Sequence, residues 1–209
     1  MGQQSVEPDI PAAAGKAPRT PRGERTMRKI LDAALAEFGE RGFSESSIVS
    51  ITGRAHVALG TFYTYFDSKE ALFAALVEDM SARVREEVAP ALSEGTNAMD
   101  AERRALAAYL DFAARNKEVY RIIDESEFVA PDAYRRHYET VAARIIERLR
   151  AGAGKGELRP GDDLEREVQA WAAMGMNVFL GLRFAVWGQE DPVRVAAIAN
   201  DLITRGLGR

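Results

Sequence analysis

Residues 57–73 read VALGTFYTYFDSKEALF and follow Ser47–Ile51, SIVSI. The two segments predict two short helices joined by a tight turn and followed by the start of a longer helix. One face of the second short helix is uncharged and rich in hydroxyl groups, from Thr61, Tyr63, Thr64 and Tyr65. A helix-turn-helix unit presents such a face to a DNA groove, with the N-terminal part of its second helix at the base edges. The pattern therefore indicates DNA recognition.

The charge of the chain is unevenly distributed. Its net charge is -4, yet residues 16–29 contain six basic side chains against the single acid Glu24. This places positive potential beside the helix-turn-helix. Residues 1–23 are rich in Pro, Ala and Gly, and we expect a disordered arm there. The arm could follow DNA phosphates or be a solubilising tail; the two interpretations are equal for Arg19 and Arg22, and contact is favoured for Arg25 and Arg28.

Helical periodicity extends along the rest of the chain and predicts an all-α fold. Thr26 is the expected N-cap of the first helix, which ends at Gly39 or Gly42. A fourth helix starts at Asp67 or Ser68 and runs towards Pro90. Further helices are predicted over residues 100–115, 117–128, 133–149 and 163–187, with a loop over 152–161 and a last helix opened by Asp191-Pro192. We expect a helix-turn-helix domain over residues 24–70 and a larger helical domain over 71–209.

The segment SIVSITGRAHVALGTFYTYFDSKEALF, residues 47–73, resembles the DNA-binding head of the TetR/AcrR family of bacterial regulators. The specific signals are GTFYTYF at residues 60–66 and SKEAL at 68–72. With the first helix, the resemblance covers about residues 24–75. It implies that the larger C-terminal domain binds a ligand and forms a homodimer.

The resemblance also implies roles for individual residues of the head. Tyr63 or Tyr65 would donate to phosphates, Thr61 and Thr64 would lie at the groove, and Gly60 would allow close approach. Ser47 and Lys69, at two helix starts, would hold backbone phosphates. Phe62 and Phe66 lie on the opposite face, and we expect them in the core. Two positions depart from the family pattern. His56 occupies a turn position where Gly is usual and where we expect positive φ, and Ala58 replaces the usual capping Ser or Thr.

The segment Trp171–Trp187 is apolar almost all round and must be covered on every side. Asn177 and Arg183 within it argue against a membrane span and for a buried helix. By resemblance, the last two helices of two protomers form a four-helix dimer interface, for which we name Gly181, Phe184, Ala185 and Trp187. A buried Arg183 would pair with Asp124, Glu125 or Glu127, or alternatively with an anionic ligand.

Aromatic and polar residues of the C-terminal domain could line a mainly apolar pocket. Each of them could instead be ordinary core. The candidates are Tyr109, Phe112, Tyr120, Phe128, Tyr138, Trp171, Met174, Asn177 and Arg183.

These observations favour a homodimeric transcriptional repressor that a small, hydrophobic effector releases from double-stranded operator DNA. The alternative is a DNA-binding regulator or architectural protein without an effector. The sequence argues against an enzyme, because it shows no paired carboxylates at catalytic spacing, no metal-ligand cluster, no phosphate loop and no activated nucleophile. We expect no metal or cofactor. The absence of Cys and of an apparent targeting peptide fits a cytoplasmic protein that does not enter the membrane.

Overall fold

The structure is a computed structural model that describes residues 16–207. Over this range the chain forms nine α-helices and no extended strand, which confirms the all-α prediction. The ninth helix opens with Pro192 at its first position, as expected. The helices are α1 (Pro21–Glu45), α2 (Ile48–Ala55), α3 (Leu59–Tyr65), α4 (Lys69–Ser93), α5 (Ala98–Arg115), α6 (Glu118–Val129), α7 (Pro131–Gly154), α8 (Asp163–Gly181) and α9 (Pro192–Leu207).

The first helix begins earlier than the sequence pattern suggested. Thr20 is the N-cap of α1, where its side chain accepts a hydrogen bond from the Gly23 amide, and Pro21 occupies the first turn. Thr26 lies inside the helix and donates its hydroxyl to the Arg22 carbonyl. The last three residues of the predicted arm are therefore helical. Residues 1–15 of that arm lie outside the described residues.

Aromatic rings close the core of the N-terminal head, residues 16–68. Gly42 leaves the helical path of α1 with φ 80°, as a glycine can, and brings Phe43 back onto the core. The Phe38 and Phe73 rings are 5.0 Å apart, and Phe43 lies 5.2 Å from Phe73. Phe62 and Phe66 are fully buried, which confirms that they are core residues rather than surface contacts. The head is thus a sealed hydrophobic unit.

The turn between α2 and α3 contains both departures from the family pattern. His56 ends α2 with φ 54° and ψ 46°, in the left-handed region that disfavours residues with a Cβ. Ala58 precedes α3 in extended geometry and provides no side-chain cap. Ser47 caps α2 by accepting a hydrogen bond from the Ser50 amide. The positive φ at His56 and the missing side-chain cap at Ala58 are therefore both present, as expected.

The longest connection between the head and the C-terminal body, residues 94–207, is α4. Its N-terminal half buries Leu72, Phe73 and Leu76 in the core of the head, and it continues past Pro90 to Ser93. The body packs α5, α7, α8 and α9 beside α4 and α6. The loop before α8 starts at residue 155, because α7 extends to Gly154. None of the helices described here is long and apolar enough to cross a bilayer.

The apolar segment at residues 171–187 differs from its prediction in two respects. The α-helix ends at Gly181, and Leu182–Val186 form a π-helical turn. The segment is also not covered on every side within one chain. Phe179 and Trp187 are each 71% exposed, and Trp171 is 42% exposed.

Candidate DNA interface and ligand cavity

The outer face of α3 is open. Tyr63 is 48% exposed, and Thr64 is exposed with its hydroxyl directed at the Gly60 carbonyl 3.4 Å away. Thr61 is partly exposed beside them. A methyl group built on Gly60 would meet no atom within 4 Å, so another molecule can approach the backbone there. The structure thus brings Gly60, Thr61, Tyr63 and Thr64 together on one accessible surface.

Two residues expected at the DNA surface lie elsewhere. Tyr65 is only 9% exposed and belongs to the hydrophobic core of the head, because its ring faces inward with Phe62 and Phe66. The Lys69 ammonium donates to the carbonyls of Phe43 and Ser46 at 2.8 Å each and lies 4.1 Å from the Phe43 ring centroid. It caps the end of α1 from within the protein. A phosphate role for Tyr65 or Lys69 does not fit these positions.

The basic residues near α1 fall into two groups. Arg28 makes a bidentate pair with Asp79 of α4, at 2.8 and 2.6 Å, and this hydrogen bonding raises the pKa of Arg28 above its usual value. Its charge is therefore paired with α4, although the side chain is still 47% exposed. Arg25 and three further basic residues are exposed and make no ion pair within residues 16–207. Those three are Arg19, Arg22 and Lys29.

Between α4, α5, α6, α7 and α8 lies a mainly apolar cavity of about 200 Å³. Five of the residues expected at a pocket line it. They are Tyr109, Tyr120, Tyr138, Met174 and Asn177. Helical spacing identified them because each lies on the inward face of its helix.

Hydrogen bonds order the tyrosine side of this cavity. The Tyr109 and Tyr120 hydroxyl oxygens are 2.7 Å apart, and Tyr120 donates to the Val178 carbonyl at 3.0 Å. Tyr109 is therefore the donor to Tyr120. Burial raises the pKa of both hydroxyls, so they remain protonated at neutral pH. This chain ties α5 and α6 to α8 one turn before the π-helical turn.

A partly buried histidine lies on the wall formed by α4 and α7. His137 Nδ1 is 2.5 Å from the Ser81 hydroxyl oxygen, which also donates to the Val77 carbonyl at 2.9 Å. Burial, with a smaller contribution from Arg144, lowers the pKa of His137 to about 4. The imidazole is neutral at neutral pH, and it links α7 to α4 without adding charge to the cavity.

Four residues predicted for the pocket lie outside it. Phe112 is 6% exposed but packs in the core that α4 to α6 share with the head. Phe128 is 84% exposed at the end of α6, and Trp171 lies on the outer face of α8. Arg183 is exposed, with its guanidinium 5.1 Å from the Phe184 ring centroid. It makes no ion pair with the acids 124, 125 or 127, because a helix surface that faces solvent does not require one.

The residues named for a dimer interface divide in the same way. A methyl group on Gly181 would lie 1.9 Å from the Tyr120 hydroxyl, and Ala185 is buried against α5 and α9, so both are internal packing positions. Phe184 is partly exposed, and Trp187 is exposed. The larger outer surface of α8 and α9 is apolar and was not singled out in the sequence. It comprises Leu164, Val168, Trp171, Phe179, Val193, Ile198 and Leu202.

Helix α6 contacts both the cavity and the head, which the sequence did not reveal. Arg121 donates to the carbonyls of Gly39 and Glu40, and Glu125 accepts from the Phe43 amide at 2.7 Å. Arg121 and Glu125 also pair with each other at 3.1 Å. The opposite face of α6 lines the cavity. The signal available in the sequence was the (i, i+4) spacing of the two residues, but spacing does not show what such a pair contacts.

Comparison with known proteins gives concordant results. Residues 30–76 match the sequence model of bacterial regulatory proteins of the tetR family. The uncharacterized HTH-type transcriptional regulator YdgC of Bacillus subtilis is 30% identical over 194 residues, covering 89% of this chain and 94% of YdgC. The crystal structure of a TetR-like regulator from Rhodococcus has a TM-score of 0.68 at 26% identity, covering 90% of this chain and 98% of that one.

A further solved structure shares the fold at lower identity. FadR of Bacillus subtilis, in complex with stearoyl-CoA, has a TM-score of 0.75 at 19% identity. The match covers 86% of this chain and 98% of FadR. Sequence identity this low supports similarity of fold and no more.

Proposed function

The chain belongs to the tetR family of bacterial regulatory proteins, and we propose that it is a cytoplasmic, homodimeric repressor released from its operator by a small hydrophobic molecule. The observation that carries this proposal is the position of the apolar cavity. Its walls include α4, which continues into the core of the head, and α6, which holds the end of α1. An open cavity there favours an effector over a constitutive or architectural DNA-binding protein.

We assign operator contact to the open face of α3. Thr61, Tyr63 and Thr64 would reach the groove, Gly60 would allow close approach, and the amide end of α2 at Ser47 would hold a phosphate. Arg25, whose charge is not neutralised, is the strongest candidate for a further phosphate contact. Thr64 and Tyr63 are uncharged, so they would contribute hydrogen bonds rather than net charge, and the resemblance assigns the Tyr63 hydroxyl to a phosphate.

Footprinting on the DNA that flanks the gene tests this assignment. The protein is expected to protect a near-palindromic site, and the Tyr63→Ala variant to lose about tenfold or more in affinity, as for a lost hydrogen bond to a charged phosphate. Arg25→Gln is expected to reduce the salt slope by about one. Phe128→Ala, which removes an exposed ring of α6, is the matched control. Unchanged affinity of the Tyr63→Ala variant would exclude Tyr63 from the interface.

The outer faces of α8 and α9 would pair two protomers. Gly175 lies four residues from both Trp171 and Phe179 on the exposed stripe, and a methyl group there meets nothing within 4 Å of its own chain. A small residue at this place suits close approach of a second helix. Gly175→Leu should therefore fold normally by circular dichroism and yet sediment as a monomer with weakened operator binding. A dimeric Gly175→Leu variant contradicts this interface.

The effector would act as a population shift through α4 and α6 together. A molecule in the cavity touches both helices, and each has a fixed contact in the head: Leu72 and Phe73 on α4, Arg121 and Glu125 on α6. A change in head separation lowers affinity, because operator half-sites lie about one helical turn apart. If a ligand releases DNA while the head-to-head distance stays constant, this route is wrong.

A further inference from the structure

Polar and charged side chains of α4 and α7 lie along one wall of the cavity. Ser81 of α4 hydrogen-bonds His137 of α7. One turn further along α4, Arg85 lines the cavity, and two turns further along α7, Arg144 does so as well. Neither arginine makes a hydrogen bond or an ion pair within the described part of the chain. Two cations thus border an apolar space without a counter-ion.

The remaining charges around the cavity do not neutralise this pair. Arg148, the next cation on α7, is already held by Glu102 at 2.5 and 3.2 Å. Asp124 is on α6, where its charge acts on Tyr120 and Tyr138 rather than on Arg144. Burial lowers the pKa of Arg144, and the neighbouring charges of Arg85 and Arg148 lower it further. An anion near Arg144 would relieve this repulsion.

The rest of the wall specifies what would carry such an anion. Beyond the two arginines the surface of the cavity is formed by aliphatic side chains of α4 and α7, such as Val84, Val88, Val141 and Ile145. Arg85 is exposed to solvent, whereas Arg144 is partly buried. The charged end of a ligand would therefore lie at the mouth of the cavity and its apolar part inside.

We propose that the cavity binds an apolar molecule that carries an anionic head group, a carboxylate or a phosphate monoester, held between Arg85 and Arg144. This inference rests on the proposed function, since it names the chemical class of the effector. Arginine binds either head group through paired N–H donors. The polar wall formed by Tyr109 and Tyr120 is already satisfied by its own hydrogen bonds.

Calorimetric titration of the whole protein with decanoate, decyl phosphate and decan-1-ol tests the proposal. These three probes share one apolar chain and differ in the head group. At least one anion is expected to bind about tenfold or more tightly than the alcohol, as for a charge-assisted hydrogen bond. Arg144→Gln should remove that preference and leave decan-1-ol binding unchanged. Arg150→Gln, which alters an exposed arginine of α7 paired with Asp163, should keep it.

Each outcome separates this inference from the proposed function. Equal binding of the anions and the alcohol overturns the anionic site while the hydrophobic effector stands. The titration is repeated with the same three head groups on chains from hexyl to hexadecyl. If none of these molecules binds, both proposals are wrong. Equal loss of preference in Arg144→Gln and Arg150→Gln also overturns the site, because the effect would then come from net charge. Arg85→Gln, at an exposed position, repeats the test should Arg144→Gln fold poorly.

Discussion

The head and the body differ in how completely their interiors are packed. The head closes its core with phenylalanine rings that are fully buried, whereas the body leaves a cavity of about 200 Å³ bordered by tyrosines, a histidine and arginines. The two histidines of the chain illustrate the contrast. His56 is exposed in a head turn, and His137 is partly buried in the body beside Ser81. A sealed unit suits a fixed DNA-reading surface, and an incompletely packed one can change shape with a ligand.

The largest effect should come from opening the sealed core. Phe38 is fully buried and its ring contacts those of Phe43 and Phe73. Phe38→Ala should lower the free energy of unfolding by about 3–5 kcal/mol, because it removes buried area and leaves a void that close-packed neighbours cannot fill. Urea unfolding followed by circular dichroism measures this loss.

Phe128→Ala is the matched control, since it removes the same side chain from an 84% exposed position in the body. Its free energy of unfolding should stay within about 0.5 kcal/mol of the parent. Similar values for the two variants would mean that the head is not sealed in solution, and the comparison between the two regions would then fail.

The second effect separates the histidines by pH. Burial lowers the pKa of His137 from 6.5 to about 4. Between pH 6.5 and about 4, the unfolded chain therefore binds a proton at this residue that the native chain does not. Stability contributed by the neutral imidazole is complete above pH 6.5 and is lost as pH falls through about 4. The full loss is about 3 kcal/mol, and it arises where α7 of the body contacts α4.

Urea unfolding at pH 7 and near pH 4 checks this expectation in two variants. His137→Asn removes the titrating group while retaining an amide that can bond Ser81, and it should flatten the pH dependence. His56→Asn, at the exposed left-handed position that Asn tolerates, is the matched control in which the other histidine is replaced. A parent-like pH dependence in His137→Asn would show that other groups govern acid sensitivity.

Much of the head could be predicted from sequence because its signals are local. The Ser47 cap, the positive φ at His56 and the core positions of Phe62 and Phe66 depend on neighbours within a few residues, although the N-cap of α1 is Thr20 and not the expected Thr26. Two expected DNA contacts do not fit the structure because a tertiary contact outweighs residue type. Tyr65 has a hydroxyl suited to phosphate but turns inward, and Lys69 has a charge suited to phosphate but caps α1.

The body was less predictable for a physical reason. Periodicity identifies the apolar face of a helix, but it does not say whether that face meets core, a cavity or a partner chain. Tyr109 and Phe112 are three residues apart on α5; one lines the cavity and the other packs in the core shared with the head. The positions of Arg85 and Arg144 at the cavity, and the contacts of Arg121 and Glu125 with α1, depend on residues that are distant in sequence. Helical spacing alone does not identify those residues.

The smallest effect concerns a missing helix cap. Ala58 precedes α3 with φ -68° and ψ 146°, a geometry suited to an N-cap, yet no side chain caps this seven-residue helix. Ala58→Ser supplies a hydroxyl for a free amide of the first turn and should raise the free energy of unfolding by about 1 kcal/mol. Thermal unfolding measures the gain.

Ala130 provides the corresponding position in the body, since it precedes α7 and is likewise uncapped by a side chain. Its ψ of 63° departs from extended geometry because the same residue also ends α6. The hydroxyl of Ala130→Ser is therefore poorly placed for the first-turn amides, and the gain should be smaller than at Ala58. Equal gains in the free energy of unfolding at the two positions would show that the effect of a capping hydroxyl does not depend on local backbone geometry. The head and the body would then not differ in this respect.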